Sequence, residues 1–304
     1  MNELRTRPPI KVSVTCPICG SSESMAYLSP DLPGLTPEQL YGSDVEVRAV
    51  QNMVKCKDCT HIYESPRYSD NDIKNAYIQA TGKRHDSMFD LKVKTFSAAL
   101  QKIGVAGKGK CVLDVGCASG AFVKAALDQG WTAQGIEPSE GLVEFARNRG
   151  LDVSAGVFED IPLAATFDMI TFWDVLEHLT NPREILEKAN AQLVDHGHLV
   201  INVPDHSSWL GRIMGKRSWW IMSVHLSYFG KKSISELLNR TGFELDRSMP
   251  YFQVYTLDYL LRIAANLKIP SAVFFSKHLP RRLLELKISY YAGQTTFICR
   301  KRPA

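Results

Sequence analysis

The sequence predicts an α/β protein built on a doubly wound parallel sheet, with a small cysteine-held module in front of it. Three observations carry this expectation. From residue 111 onward, short apolar runs alternate with amphipathic stretches of helical length, the βαβα order of a parallel sheet. The run Val112-Leu113-Asp114-Val115 enters a turn at Gly116, and a helical pattern begins near Ala121. Two Cys-x-x-Cys pairs stand upstream of all of this.

The first pair is Cys16 and Cys19, followed by Gly20; the second is Cys56 and Cys59, and 36 residues separate the two. Four thiolates suit a closed, structural, tetrahedral Zn²⁺ site. Closing the loop costs on the order of 3 kcal/mol, whereas structural zinc contributes roughly 10–16 kcal/mol. A redox or disulfide role is the rival. The chain has seven cysteines, an odd number, and Met1 to Ser13 carries charges and two prolines rather than a secretory leader. Zinc is therefore preferred, with residues 1–69 forming a zinc ribbon of short strands. Its long spacing places the Pro- and Gly-containing stretch Pro30 to Tyr41 in an outward loop. Cys111, Cys117 and Cys299 read as ordinary buried thiols.

Residues 70–104 read as a helical linker, with Ser69-Asp70 as its cap and Ile73, Ala76, Phe89, Phe96 and Leu100 on one apolar face. Residues 105–304 form the main domain. Strands are expected at 111–115, 132–136, 151–154, 168–173 and 197–203, with helices at 119–130, 139–149 and 182–194. Ser233 to Thr241 reads as a helix ending at Gly242. Phe243 to Arg247 and Thr295 to Cys299 are the last two strands, and Tyr251 to Leu286 between them reads as helical and basic.

The turn after the first strand lets backbone N–H groups approach a ligand. About twenty residues later, Gly135-Ile136-Glu137 ends a second strand with an acid able to accept from two ribose hydroxyls. A dinucleotide fingerprint needs Gly-x-Gly-x-x-Gly, and the spacing here is Gly116-x-x-x-Gly120. Asp114 would repel a pyrophosphate and attract an ammonium or sulfonium. S-adenosylmethionine carries both, together with a ribose for Glu137.

These residues resemble a known family. Val112 through Gly120 is similar to the first motif of class I S-adenosylmethionine-dependent methyltransferases, and Gly135 through Ser139 to their ribose-binding strand end. Phe167 through Leu179, containing Trp173-Asp174-Val175-Leu176-Glu177-His178, resembles the fourth strand of the branch with the ubiquinone-biosynthesis O-methyltransferases. Gly197 through Pro204 resembles the fifth. The departure is Ala118, where many members have a second glycine. The stretch from Cys56 to Tyr77 resembles a subgroup with an N-terminal zinc ribbon that often methylates sugars or glycan precursors. The resemblance, which spans roughly residues 90–250, implies a seven-stranded Rossmann-like methyltransferase sheet, here with a helical C-terminal cap.

By that resemblance, Asp114, Gly116, Cys117, Ala118, Gly120, Glu137 and Pro138 bind the cofactor, Val157 and Phe158 flank adenine, and Trp173 lies by the methionine part. Asp174 either hydrogen-bonds near the transferred methyl or caps the turn that follows. A hydroxyl acceptor needs a base, and histidine titrates in the right range. His225, in His225-Leu226-Ser227-Tyr228-Phe229, resembles a His-x-x-Tyr/Phe-Phe segment near the family's acceptor pocket and is favoured as base. Glu177 and His178 brace the site. Trp219 and Trp220 are candidates to stack on a sugar, or core residues. Sugar C-methyltransferases of this type show Tyr-x-Glu before that histidine; Met222-Ser223-Val224 stands here, which favours O-methylation over C-methylation of a nucleotide-linked ketosugar. The strand end also lacks the Asn/Asp-Pro-Pro-aromatic motif of nucleic-acid N-methylation.

Composition fits a soluble globular chain, with 45% hydrophobic and 22% charged residues. No apolar run is long enough to span a bilayer, so the cytoplasm is the default location. The net charge of +4 is uneven, for residues 205–304 hold 16 Lys/Arg against 6 Asp/Glu. That basic third, capping the sheet over about 205–290, fits an anionic acceptor, a membrane surface or a solvated face. Its charges are scattered, which argues against nucleic acid. The expected function is methyl transfer to a small-molecule or glycan-linked acceptor. An RNA methyltransferase with a ribbon clamp and a non-catalytic scaffold are the alternatives. The oligomeric state is left open.

Overall fold

The computed structural model describes residues 10–30, 35–41, 51–78, 88–162, 166–266 and 270–303. The N-terminal lobe comprises β1 (Ser24–Leu28), α1 (Pro37–Tyr41), β2 (Met53–Cys56) and β3 (Ile62–Glu64). Its three strands pair antiparallel, and a distant two-residue strand, Ser227–Tyr228, adds to the free edge of β3. Then come α2 (Asp70–Ile78) and α3 (Phe89–Ile103). Ser69 Oγ accepts the N–H of Asp72, capping α2, and Gly104 closes α3 in the left-handed conformation at φ 70°.

The main unit runs β4 (Cys111–Val115), α4 (Ala121–Asp128), β5 (Thr132–Glu137), α5 (Glu140–Arg147), β6 (Val153–Ala155) and β7 (Phe167–Trp173). A 3₁₀ turn at Leu176–His178 leads to α6 (Pro182–Gln192) and β8 (Leu193–Pro204). After α7 (Trp209–Met214) and β9 (Ser227–Tyr228) follow α8 (Lys231–Arg240) and β10 (Phe243–Thr256). Three helices, α9 (Leu257–Asn266), α10 (Pro270–His278) and α11 (Arg281–Leu284), precede β11 (Lys287–Lys301).

Seven strands form one sheet in the order β10-β11-β8-β7-β4-β5-β6. β4, β5, β6, β7 and β8 are parallel, and β11 runs antiparallel between β8 and β10. Both faces are covered. Val112, Met169 and Val200 face Leu100 of α3 and Phe122 and Val123 of α4. Leu113, Phe172 and Ile201 face Ile185 and Leu186 of α6 and Leu237 of α8. Neighbouring residues of β4 thus go to opposite faces, as the pleat requires. Cys16, Ile18, Cys59 and Tyr63 join the second of these cores, so the N-terminal lobe packs onto the α6/α8 side.

The structure corrects two expectations. Residues 251–256, read as helical, continue β10, because they pair with Lys287 through Tyr291 of an equally long β11. The helical cap is confined to the segment between these strands. Within the stretch expected to loop out, residues 37–41 are helical, and Leu40 and Tyr41 are buried against Tyr68 and Ile73. The apolar spacing of Leu40 and Tyr41 won over the Pro and Gly content. Within residues 70–103, Asp70–Ile78 and Phe89–Ile103 are helical; residues 79–87 between them lie outside the described part, as do residues 31–34 of the insert.

Candidate active site

The sheet order reverses between β4 and β7, and the crevice at the carboxyl ends of these strands is where such sheets bind ligands. The β4–α4 turn is tied to β5 by the N–H groups of Gly116 and Cys117, both donating to the Ile136 carbonyl at 2.8 and 3.0 Å. Gly116, Ala118 and Gly120 take positive φ values of 70°, 47° and 77°. The Ala118 value explains why glycine suits that position. A Cβ on Gly116 would stand 2.6 Å from Val175 Cγ2, so the turn and the β7 exit fit only without it.

Glu137 ends β5 with its carboxylate spanned by two amides. Oε2 accepts from Ala118 N–H and Oε1 from Ser139 N–H, both at 2.9 Å. Burial raises its pKa, and the two amides oppose that rise. Asp114 accepts a 2.6 Å hydrogen bond from Thr171 Oγ1 on β7. Burial pushes its pKa up to about 8, Thr171 opposes this, and the Glu137 charge adds to it.

Two cavities open here. One, of about 330 Å³, is lined by Pro138, Val157, Phe158 and the α2 residues Ile73, Lys74 and Tyr77. Lys74 pairs with Asp160 at 2.7 Å. The other, of about 340 Å³, is lined by Asp114, Ala118, Glu137, Trp173, Asp174 and Lys92. Gly116, Tyr77, Val175 and His178 belong to both walls. Cys117 also lines the second cavity. Gly120 lines neither; a Cβ there would meet Leu151 at 2.7 Å, so it serves the packing of α4. Phe158 sits mostly in the core, edge-on to Phe172. Trp173 is packed among Phe96, Phe122 and Tyr251.

Asp174 has the unusual φ of 56°, and its carboxylate accepts from Asn202 at 2.8 Å and from Gln294. No side chain caps the 3₁₀ turn that follows, so the capping alternative does not hold. Burial raises the Asp174 pKa to about 6, while Asn202, Lys92 and Gln294 lower it. Lys92, partly buried, has its pKa lowered by desolvation and raised by Asp174. Thr171, Lys92, Asn202 and Gln294 were not singled out from sequence. Thr171 left a trace, a lone hydroxyl inside an apolar strand.

His178 Nδ1 lies 2.8 Å from the Val224 carbonyl, which can only accept, so Nδ1 carries the proton and Nε2 keeps its lone pair. Burial drops its pKa to about 4, leaving the ring neutral. His225 packs against it with ring centroids 4.9 Å apart, is 4% exposed, and lines neither cavity. Burial holds His225 well below the usual histidine range. Glu177 is fully buried beside them, its pKa raised chiefly by burial. Trp220 stacks on His225 and donates its indole N–H to the Ala292 carbonyl, which gives it a packing role.

In the N-terminal lobe, Cys16 Sγ and Cys59 Sγ are 3.5 Å apart, and Cys19 Sγ and Cys56 Sγ 3.6 Å apart. All four sulfurs lie within 4.8 Å of one another and none is in a disulfide. Tetrahedral Zn–S bonds of about 2.3 Å imply S–S separations of roughly 3.8 Å, so this donor set fits zinc. Among the described residues no helix is long and apolar enough to cross a membrane.

A doubly wound sheet with its seventh strand antiparallel, a strained glycine turn and an amide-clamped acid at the second strand end define a nucleoside-cofactor transferase. The chain belongs to the methyltransferase-domain family, whose profile matches residues 85–248, and it is an S-adenosylmethionine-dependent methyltransferase of class I. It is 26% identical over 167 residues to the uncharacterized protein MJ1123 of Methanocaldococcus jannaschii, covering 53% of this chain and 78% of that one. It is 32% identical over 99 residues to a ubiquinone biosynthesis O-methyltransferase of Coxiella burnetii, covering 30% of this chain and 42% of the relative. The match thus spans less than half of that enzyme. A chain in the complex of the Haloferax volcanii Trm112 methyltransferase activator with a methyltransferase shares the fold, with a TM-score of 0.52 at 18% identity, covering 73% of this chain and 95% of that one.

Proposed function

We propose that this enzyme methylates a hydroxyl of a small-molecule or sugar-linked acceptor. One observation carries the reading: a single cavity is lined by Asp114 and Glu137 together with Asp174, His178 and Lys92. S-adenosylmethionine, when bound, supplies an electrophilic methyl on a sulfonium. Glu137 would hold its ribose, with Val157 and Phe158 at the adenine and Trp173 by the methionine part. Asp114 would sit by its positive charge.

The chain's remaining work is to align the acceptor, exclude water and take a proton. His225 is the candidate base and His178 the ring that lies on the cavity wall, so removal of the proton is assigned to this pair. Lys92 beside aromatic walls favours an acceptor bearing negative charge. The four cysteines would hold a structural zinc. The test uses labelled S-adenosylmethionine with cell extracts, followed by mass spectrometry of labelled products. His225→Ala is expected to abolish turnover while keeping cofactor affinity; full activity in that variant would remove His225 from the reaction.

A further inference from the structure

Glu177, His178 and His225 are brought together from two separated segments, the 3₁₀ turn after β7 and the loop before β9. One ligand atom from each lies within 4.8 Å of the others. The cluster is buried, with Glu177 1% and His225 4% exposed. Both carboxylate oxygens of Glu177, and Nδ1 of His225, lack a hydrogen-bond partner. Only Glu177's own amide lies near enough to relieve its charge. Three orphaned polar atoms in one buried spot each forfeit their hydration without replacement. Meanwhile the His178 ring has its Nδ1 engaged by the Val224 carbonyl, and the Trp220 backbone beside His225 favours a proton on that ring. Outer carbonyls that fix the tautomer and turn one lone pair inward are the usual setting of metal-bound histidine.

We propose that Glu177, His178 and His225 bind a divalent transition ion, a two-histidine, one-carboxylate site separate from the four thiolates. The donor set suits zinc-class ions rather than Mg²⁺ or Ca²⁺, which prefer all-oxygen ligands. Drawing one donor from each residue to about 2.0–2.2 Å from a common centre would partner His225 Nδ1 and a Glu177 oxygen and neutralise the carboxylate's charge. The ion's role rests on the reading of the adjoining cavity as the acceptor site. Through His178 the ion stands at its wall, where it would lower the pKa of an acceptor hydroxyl. With their lone pairs on the ion the two histidines would no longer take the proton themselves; the ionising hydroxyl would give its proton to Asp174, which lines the same cavity, and its oxygen would take the methyl.

The test counts metal. Protein produced in cobalt-supplemented medium is analysed by mass spectrometry for cobalt per chain, and by near-ultraviolet absorption for sulfur-to-cobalt charge transfer, which reports the thiolate site alone. Expected is about one cobalt beyond the thiolate-bound ion. In Glu177→Gln and His225→Asn that extra ion is lost, while the charge-transfer band stays. The proposal is overturned if the wild-type count equals the thiolate-bound count, or if folded Glu177→Gln keeps the extra ion. Should both variants fail to fold, the wild-type count decides. Loss of turnover in His225→Ala without an extra ion would sink the metal site and leave the methyl-transfer reading standing.

Discussion

Ala118 and Glu137 are joined across nineteen residues of sequence by one hydrogen bond, the Ala118 N–H donating to Glu137 Oε2 at 2.9 Å. With Ser139 on the other oxygen, the bond fixes the carboxylate at the rim where the β4–α4 turn meets β5. A hydrogen bond to a charged group contributes about 1.5–3 kcal/mol. Glu137→Gln retains one acceptor but sets an amide NH₂ against a backbone N–H. Isothermal titration should show S-adenosylmethionine and its demethylated product binding at least tenfold more weakly; unchanged affinity would remove Glu137 from the site.

Gly116→Ala should be more damaging to the fold. At φ 70° an L side chain costs about 1–2 kcal/mol, and its Cβ would overlap Val175. Both the melting temperature and cofactor affinity are expected to drop. Adding Val175→Ala relieves the overlap and leaves the backbone strain, so the double variant should recover part of the lost stability. Full recovery would mean that the turn tolerates alanine and that the glycine is kept for space alone.

The Asp114 pKa of about 8 gives cofactor binding a pH dependence. A cationic ligand favours the carboxylate, so below pH 8 binding must release a proton. Affinity should then weaken as pH falls from 8 to 6, by up to about tenfold per unit, and level off above 8. The ligand-free protein should respond the other way. The folded pKa lies above the ordinary 3.8, so the stabilisation of the protonated form is lost as pH rises through 8. Asp114→Asn should flatten both profiles. A buffer-independent binding enthalpy in the wild type would show that no proton moves.

The parallel strands and their helices were legible because each carries its own period and turn. Gly116 and Glu137 were legible because their chemistry is local in sequence. Most of what escaped was set by pairing at long range. Residues 251–256, Tyr-Phe-Gln-Val-Tyr-Thr, are rich in strand formers, a local signal that the helical reading of 251–286 passed over; the fifteen residues of β11 supply the partner that extends β10 through them. Thr171, Asn202 and Gln294 matter only through the side chain each meets, Asp114 or Asp174. The ordering of the two histidines, His178 on the wall and His225 behind, depends on how the loop before β9 is held.

That loop is held by the N-terminal lobe, so the zinc proposed for the four thiolates can be tested at a distance. Leu226, next to His225, donates its N–H to the Glu177 carbonyl at 2.8 Å and accepts from the Glu64 N–H at 2.9 Å. Ser227 and Tyr228 pair with β3, and His61 bonds Ser227 Oγ at 3.1 Å. β3 starts three residues after Cys59, so if the four thiolates hold zinc, a ribbon stripped of it would lose the anchor of the strand that positions His225. Glu137 and the β4–α4 turn make none of these contacts. Mercurial displacement of the thiolate-bound ion should therefore suppress turnover by at least tenfold while changing cofactor affinity less than threefold. Parallel loss of both would mean that the lobe supports the whole domain rather than the acceptor end.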